Sequence, residues 1–207
     1  MQFLPKGMRV LCGAPIENVT ERALMRRLLH DLELQGAEGL VLVNFQAGRN
    51  SVQIDAVVAL ARCACVVEIK GYKLPVHGQL NGRWSQTLPD GGTRVLSARN
   101  PYVQALRAKF AVFDELGPLL FLPQQQQQQQ QRPARPCVSG MVCFFPSPPP
   151  GSSIPEGDFK ASIGGYDDLL SLCRHVSSRA VPLSVWEKFA CKLGLSEHAG
   201  DHRVLLT

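Results

Sequence analysis

Two acidic residues and a lysine stand on two neighbouring apolar segments of the chain. Asp55 lies in segment 51–60, and Glu68 and Lys70 lie in segment 64–70. Both segments are rich in β-branched residues, which predicts two strands. Because the connection between them is short, we expect an antiparallel hairpin that brings Asp55 almost opposite Glu68. Side chains alternate along a strand, so Glu68 and Lys70 should share one face while the residue between them points into the core.

Two carboxylates and an ammonium group on apolar strands are costly to bury unless a cation lies between the acids. Such a cluster suits metal-assisted hydrolysis of a phosphodiester. Hard carboxylate oxygens are ligands for Mg²⁺ or Mn²⁺, and the metal would lower the pKa of a bound water. We therefore predict Asp55 and Glu68 as metal ligands. Lys70 would position the attacking water or neutralise charge on the phosphate.

The residues alone leave simpler interpretations open. Asp55 can be an acid at a strand end that pairs with an arginine. Glu68 and Lys70 can be a solvated ion pair on the sheet.

Further residues downstream extend the pattern. The ordered series is Asp55, Val67–Gly71, Gly78, Trp84 and Asn100–Gln104. In order and approximate spacing, this series resembles the nuclease-related domain (NERD) family, a branch of the PD-(D/E)xK nuclease superfamily. The resemblance covers about residues 15 to 145.

The resemblance implies an α/β fold with a restriction-endonuclease-like core. Its elements would be a helix, a three-stranded antiparallel meander, a second helix and a further strand, giving a mixed sheet flanked by helices. It also implies Mg²⁺-dependent cleavage of DNA. Glu21 fits the place of a family carboxylate at the start of the first helix, although Thr20 stands where the family commonly has glycine. Gln104 would lie near the active site on the second helix; the tyrosine that RecB-like nucleases have four residues later is Ala108 here.

Glu21 also has a local interpretation. It lies three residues after Asn18, so Asn18–Glu21 is a capping box for the helix that follows. The sequence leaves three roles open for Glu21: a helix cap, a site residue, or both.

The periodicity of apolar residues predicts the elements around these positions. The predicted elements are a helix over about Val19–Leu34, a strand over Leu40–Phe45, a small hairpin over Gly78–Ser85, a helix that opens at Asn100–Pro101, and a strand over Cys137–Phe145. Trp84 beside the hairpin is either a core residue or a platform for base stacking.

Positive charge is concentrated around the predicted site. Residues 61–110 contain eight basic and two acidic side chains, and the rest of the chain is near neutral. This distribution suits a polyanion held through its phosphates. The nucleic-acid-binding residues predicted from it are Lys73, Arg83, Arg99 and Arg107. A solvated basic face without a partner is the alternative.

A chain of 207 residues can bury one substantial core. We divide it into a nuclease-related domain at 8–145, with a low-complexity Gln/Pro insertion at 123–136, and a C-terminal helical extension at 146–207. No apolar stretch approaches the roughly 20 residues of a membrane span and the N-terminus lacks the pattern of a secretion signal, so we expect a cytoplasmic location. The seven cysteines lack Cys-x-x-Cys spacing and are interpreted as buried, reduced thiols.

Two functions follow from these observations. The first is a metal-dependent DNA nuclease with a D…ExK site. The second is a nuclease-like module that binds nucleic acid or a partner protein, in a larger assembly, without cutting. A purely structural interaction domain would explain none of the motif order.

Overall fold

The computed structural model describes residues 7–96, 100–120 and 137–197. Within these ranges the chain is α/β, with a mixed seven-stranded sheet flanked by helices and a separate three-stranded antiparallel sheet. The helices are α1 (Val19–Leu34), α2 (Pro101–Leu120), α3 (Tyr166–Arg174) and α4 (Leu183–Lys192). The strands are β1 (Met8–Cys12), β2 (Gly39–Ala47), β3 (Val52–Leu60), β4 (Ala64–Lys70), β5 (Val76–His77), β6 (Ser85–Thr87), β7 (Thr93–Val95), β8 (Ser139–Phe144), β9 (Ser162–Gly164) and β10 (Ser196–Glu197).

The large sheet has the strand order β10-β1-β2-β3-β4-β8-β9. Its centre is the antiparallel meander β2-β3-β4, and β8 pairs parallel to β4 after the crossover through α2. The expected restriction-endonuclease-like arrangement of helix, meander, helix and strand is therefore confirmed. The crossover matters for function because it carries α2 back to the end of β4, where the motif residues lie.

Helices cover both faces of this sheet. The leucine stripe of α1, at Leu24, Leu28 and Leu32, is fully buried against one face. The small and branched residues of α2, among them Ala105 and Val112, are fully buried on the other side. Complete burial of such side chains is the main favourable contribution to folding, at about 1.5–3 kcal/mol for each large aliphatic residue. The predicted bounds of α1 agree with the structure.

The predicted hairpin over Gly78–Ser85 is wrong in its strand positions. The paired residues lie further apart, with His77 opposite Ser85, and the residues between them form a loop. The side-chain amide of Asn100 donates to three carbonyl groups of this loop, those of Gln79, Leu80 and Gly82. These hydrogen bonds fix the loop as an irregular segment, so the Asn-Gly dipeptide does not close a two-residue turn.

Trp84 is a core residue. Its side chain is 2% exposed, and its ring stacks on Phe144 with centroids 6.0 Å apart and planes 5° from parallel. The backbone of Gly78 lies so close that an added Cβ would approach the indole to 2.5 Å. The base-stacking interpretation of Trp84 is therefore wrong, and Gly78 is needed to seat the ring.

The segment after residue 145 contributes strands as well as helices to the same sheet. β9 extends the edge beyond β8, and β10 pairs with β1 at the opposite edge. Arg9 of β1 forms ion pairs with Glu187 of α4, at 2.7 Å, and with Glu197 of β10. The division of the chain at residue 146 stays a prediction. The glutamine run within 123–136 lies outside the described residues.

The cysteines are unpaired, and Cys191 is exposed while Cys137 is partly buried. The expectation that all the thiols are buried is therefore wrong for these two and correct for the other five. In the described ranges, no helix has the length and apolarity needed to cross a membrane.

Candidate active site

A cavity of about 440 Å³ opens where β4 ends beside the N-terminus of α1 and one flank of α2. All five side chains predicted from the motifs line it. Its lining residues are Asn18, Thr20, Glu21, Asp55, Glu68, Ile69, Lys70, Gly71, Tyr72 and Gln104. Four separate segments of the chain thus converge on one cavity, as the order of the motifs predicted.

The β3–β4 hairpin brings the first two acids together. Ala56 pairs with Val67 at the end of the antiparallel ladder, so Asp55 and Glu68 are the next residues beyond that last pair. Oδ2 of Asp55 accepts a hydrogen bond of 2.8 Å from the backbone N–H of Ile69. Within the described residues no arginine pairs with Asp55, so this part of the chain gives no support to the interpretation of Asp55 as an arginine partner.

Glu68 and Lys70 form a buried ion pair. Nζ of Lys70 lies 2.5 Å from Oε1 of Glu68. The side chain of Lys70 is 17% exposed and that of Glu68 is 6% exposed. Ile69 points to the opposite side and packs in the core beneath α1. The alternation around Ile69 is therefore as predicted, and the pair is enclosed rather than solvated.

Asn18 caps α1 without help from the Glu21 carboxylate. Oδ1 of Asn18 accepts hydrogen bonds from the backbone N–H groups of Thr20, at 2.8 Å, and Glu21, at 3.3 Å. Among the described residues, the carboxylate of Glu21 makes no hydrogen bond back to Asn18, and it lines the cavity instead. The capping box is thus half formed, which leaves the Glu21 carboxylate available to the site.

Thr20 is accommodated by Gly71, the residue that follows β4. A Cβ added to Gly71 would lie 2.2 Å from Oγ1 of Thr20. The helix start therefore rests directly on the backbone that follows the motif strand. This contact holds the end of α1, and with it Glu21, against the cavity.

Gln104 and Tyr72 complete the wall of the cavity. Gln104 is half-buried on the flank of α2, and Asn100 caps the same helix through a 2.8 Å hydrogen bond to the N–H of Tyr102. Tyr72 was not among the residues predicted for the site. Its position two residues after Lys70, just beyond the end of β4, is the feature of the sequence that could have indicated it.

Burial raises the pKa values of all three acids, and repulsion from neighbouring carboxylates adds to the increase for Glu21 and Glu68. The pKa of Glu21 is raised to about 7, chiefly by burial and then by the Asp55 and Glu68 carboxylates, with Lys70 opposing the increase. Burial, followed by Asp55, raises the pKa of Glu68 to about 6, although Lys70 opposes the change. Burial also raises the pKa of Asp55, against the lowering effects of the Ile69 N–H and Lys70. The cavity therefore gathers more carboxylate charge than its own lysine balances.

Lys70 remains a cation in this site. Burial alone would lower the pKa of its ammonium group, but the adjoining Glu68 and Asp55 carboxylates outweigh burial and raise the pKa. A protonated lysine donates hydrogen bonds and cannot accept a proton. Lys70 is therefore suited to orient a water or a phosphate oxygen, not to act as a base.

The donor set fits a hard divalent cation by chemistry. Hydrogen bonds occupy Oδ2 of Asp55 and Oε1 of Glu68, so the other oxygen of each carboxylate remains available to a ligand. Carboxylate oxygens are the ligands preferred by Mg²⁺. Excess negative charge in a desolvated cavity is what such an ion offsets. In the described ranges, however, no three His, Cys, Asp or Glu side chains are close enough together to hold a metal.

The basic residues predicted to bind nucleic acid are exposed where the structure describes them. Lys73, Arg83 and Arg107 are exposed, and Arg107 lies one helical turn after Gln104 on α2. Arg99 lies outside the described residues.

Comparison with protein families identifies the family of this chain. The model of the nuclease-related domain (NERD) matches residues 16–145, which is more than half of the 207-residue chain. The chain belongs to the nuclease-related domain family. No curated protein matches it, and no solved structure matches it either.

Proposed function

We propose that this chain is a metal-dependent DNA nuclease that hydrolyses phosphodiester bonds at the cavity formed by β3, β4, α1 and α2. The observation that carries this proposal is the convergence of Glu21, Asp55, Glu68, Lys70 and Gln104 on one cavity. The family match supports a nuclease-related function and the binding of nucleic acid.

Each side chain has a role that its surroundings support. Asp55 and Glu68 would hold Mg²⁺ or Mn²⁺, because each has one oxygen fixed by a hydrogen bond and another left for a ligand. Glu21 would add a third carboxylate from the helix start. When bound, the metal would polarise the phosphate and lower the pKa of a water. Lys70 would donate a hydrogen bond to that water or to the developing negative charge, and Gln104 would contact the water or a phosphate oxygen.

Substrate binding would use the exposed basic residues. Lys73, Arg83 and Arg107 are free of ion pairs within the described part of the chain, so they can contact phosphates without breaking an existing pair. Arg99 keeps the role predicted from sequence. Contacts to phosphates supply affinity that does not depend on base sequence.

A second candidate is a nuclease-like module that binds nucleic acid or a partner protein without cutting. The close Lys70–Glu68 pair favours it, since that pair occupies one oxygen of a proposed metal ligand. The absence of a three-acid metal group in the described residues favours it as well.

Cleavage of end-labelled DNA by the full chain separates these candidates. We expect products with Mg²⁺ or Mn²⁺, no products with EDTA, and binding without turnover in Ca²⁺. Glu68→Gln should remove cleavage and retain DNA binding. DNA binding by the wild-type chain without cleavage in either metal would support the second candidate in its nucleic-acid-binding form. An absence of DNA binding at low salt would contradict the nuclease and leave only a module that binds something other than DNA.

A further inference from the structure

The backbone ladders of the sheet are interrupted at Asp55. On either side of this residue, β2 and β3 keep one register, but the pair Asn44 and Asp55 is missing from the described sheet. At the other edge of β3, the ladder with β4 ends at Ala56 and Val67 and also leaves Asp55 out. The proposed metal ligand therefore lies at a point where its strand has no backbone pair in either ladder.

The carboxylate of Asp55 bridges this gap. Its Oδ2 accepts the 2.8 Å hydrogen bond from the N–H of Ile69 on β4. A side-chain hydrogen bond thus takes the place of a backbone pair at this point. Loss of this hydrogen bond would free the Asp55 carboxylate to rotate and would displace its second oxygen.

Asn44 lies at the interruption on the β2 side. Its φ of 48° is in the left-handed region, which asparagine tolerates better than most residues. The alternation of the strand reverses there. Val43 packs in the core beneath α1, whereas Phe45 packs in the core on the opposite face of the sheet. In a regular strand, two residues at this spacing would lie on the same face.

The Asn44 side chain also connects the two segments that carry the acids. Its Nδ2 donates to the backbone carbonyl of Pro15, in the segment that leads into α1 and Glu21. Its Oδ1 accepts a 2.7 Å hydrogen bond from Nε2 of Gln53, two residues before Asp55 on β3. One amide therefore joins the start of the Glu21 helix to the strand of Asp55.

We propose that Asn44 is a positioning residue for the candidate active site. Its left-handed backbone opens β3 at Asp55, and its amide fixes the distance between the segments of Glu21 and Asp55. Asn44 acts through these two residues and does not itself touch the reacting atoms. This inference rests on the proposed nuclease function only for its effect on cleavage; the effect on the geometry of Asp55 is independent of it.

Asn44→Gly tests the amide without disturbing the backbone, because glycine adopts positive φ freely. Gln53→Ala, at an exposed position, removes the hydrogen bond between Gln53 and Asn44 and keeps the one between Asn44 and Pro15. It is the alternative test if Asn44→Gly fails to fold. Ser51→Gly is the matched control, since Ser51 is also left-handed, with φ 46°, but lies in the turn after β2, outside the cavity lining. All are measured in the full chain by amide hydrogen exchange and by single-turnover cleavage.

We expect Asn44→Gly to speed exchange of the Ile69 N–H by about tenfold or more, while the ladder amide of Val67 changes by less than about twofold. Cleavage should fall by about ten- to hundredfold because the acids are misplaced, with DNA affinity in Ca²⁺ within about twofold. Gln53→Ala should change both quantities in the same direction, and Ser51→Gly should change neither.

Ile69 exchange at the wild-type rate in both Asn44→Gly and Gln53→Ala would overturn the positioning role. If the wild-type chain does not cut DNA, the nuclease proposal fails, but the exchange of Ile69 still decides whether Asn44 positions Asp55.

Discussion

Replacing Glu21 with glutamine should stabilise the metal-free protein at alkaline pH. The folded chain raises the pKa of Glu21 from 4.5 to about 7, mainly by burial and then by Asp55. Because the folded pKa exceeds the unfolded value, the contribution of Glu21 to stability is fully present below pH 4.5 and is lost as pH rises through about 7. Glutamine has no charge to desolvate, so Glu21→Gln avoids that loss.

The size of the gain follows from the shift. One pKa unit corresponds to about 1.4 kcal/mol, so the shift of Glu21 sets an upper limit of roughly 3 kcal/mol. Glu21 is partly exposed, and solvent screening reduces this value to about 1–2 kcal/mol. A negative charge in the first turn of α1 also interacts favourably with the helix dipole, by about 0.3–1 kcal/mol, and glutamine forgoes that. We expect a net gain near 1 kcal/mol, or about 2–4 °C in Tm for a chain of this length.

Thermal unfolding in EDTA, followed by circular dichroism at pH 5 and pH 8, measures this effect. The advantage of Glu21→Gln should be small at pH 5 and reach its full size at pH 8, and Mg²⁺ should stabilise the wild type more than the variant. Glu17→Gln, at an exposed position just before α1, is the control. If Glu21 were only a helix cap, glutamine would replace it with little change at either pH. An unchanged or lower Tm for Glu21→Gln at pH 8 would refute the account of a desolvated carboxylate cluster.

Three further outcomes are expected. Lys70→Ala should reduce single-turnover cleavage by about 10²-fold or more and leave Mn²⁺ binding intact, since lysine cannot ligate a cation; cleavage at the wild-type rate would remove Lys70 from the mechanism. Gly71→Ala should cost about 1–3 kcal/mol in the free energy of unfolding because its new methyl group meets Thr20. Adding Thr20→Gly should recover at least about 1 kcal/mol of that cost, and strictly additive effects would show that the two residues do not touch. DNA affinity should fall steeply with salt, and the double variant Lys73→Glu, Arg107→Glu should flatten the slope of log K against log salt by about one for each phosphate that it no longer neutralises; an unchanged slope would place the DNA elsewhere.

Local patterns determined much of what could be predicted. The leucine stripe and Asn18 define α1 without reference to the rest of the chain, and α1 has the predicted bounds. The β3–β4 hairpin follows from two apolar segments and a short connection. Because alternation along β4 is a property of any strand, it placed Glu68 and Lys70 on one face and Ile69 on the other.

The remaining features depend on distant contacts or on backbone conformation. β10 has only two residues and exists because it pairs with β1, about 185 residues earlier in the chain. The loop before Trp84 departs from a tight hairpin because Asn100 binds its carbonyl groups. The left-handed backbone of Asn44 leaves no pattern in a single sequence, so the interruption of the sheet at Asp55 could not be predicted.

The assignment of the active site is tested by single-turnover cleavage of labelled DNA in Mg²⁺ by the wild-type chain and by Asp55→Asn, with Asp114→Asn on the exposed face of α2 as the matched control. The wild type and the control should both cleave the DNA. Asp55→Asn should lose cleavage while holding DNA as tightly or more tightly, because it removes both a metal ligand and a repulsive charge. Equal cleavage by Asp55→Asn and the wild type would contradict the assignment of the active site.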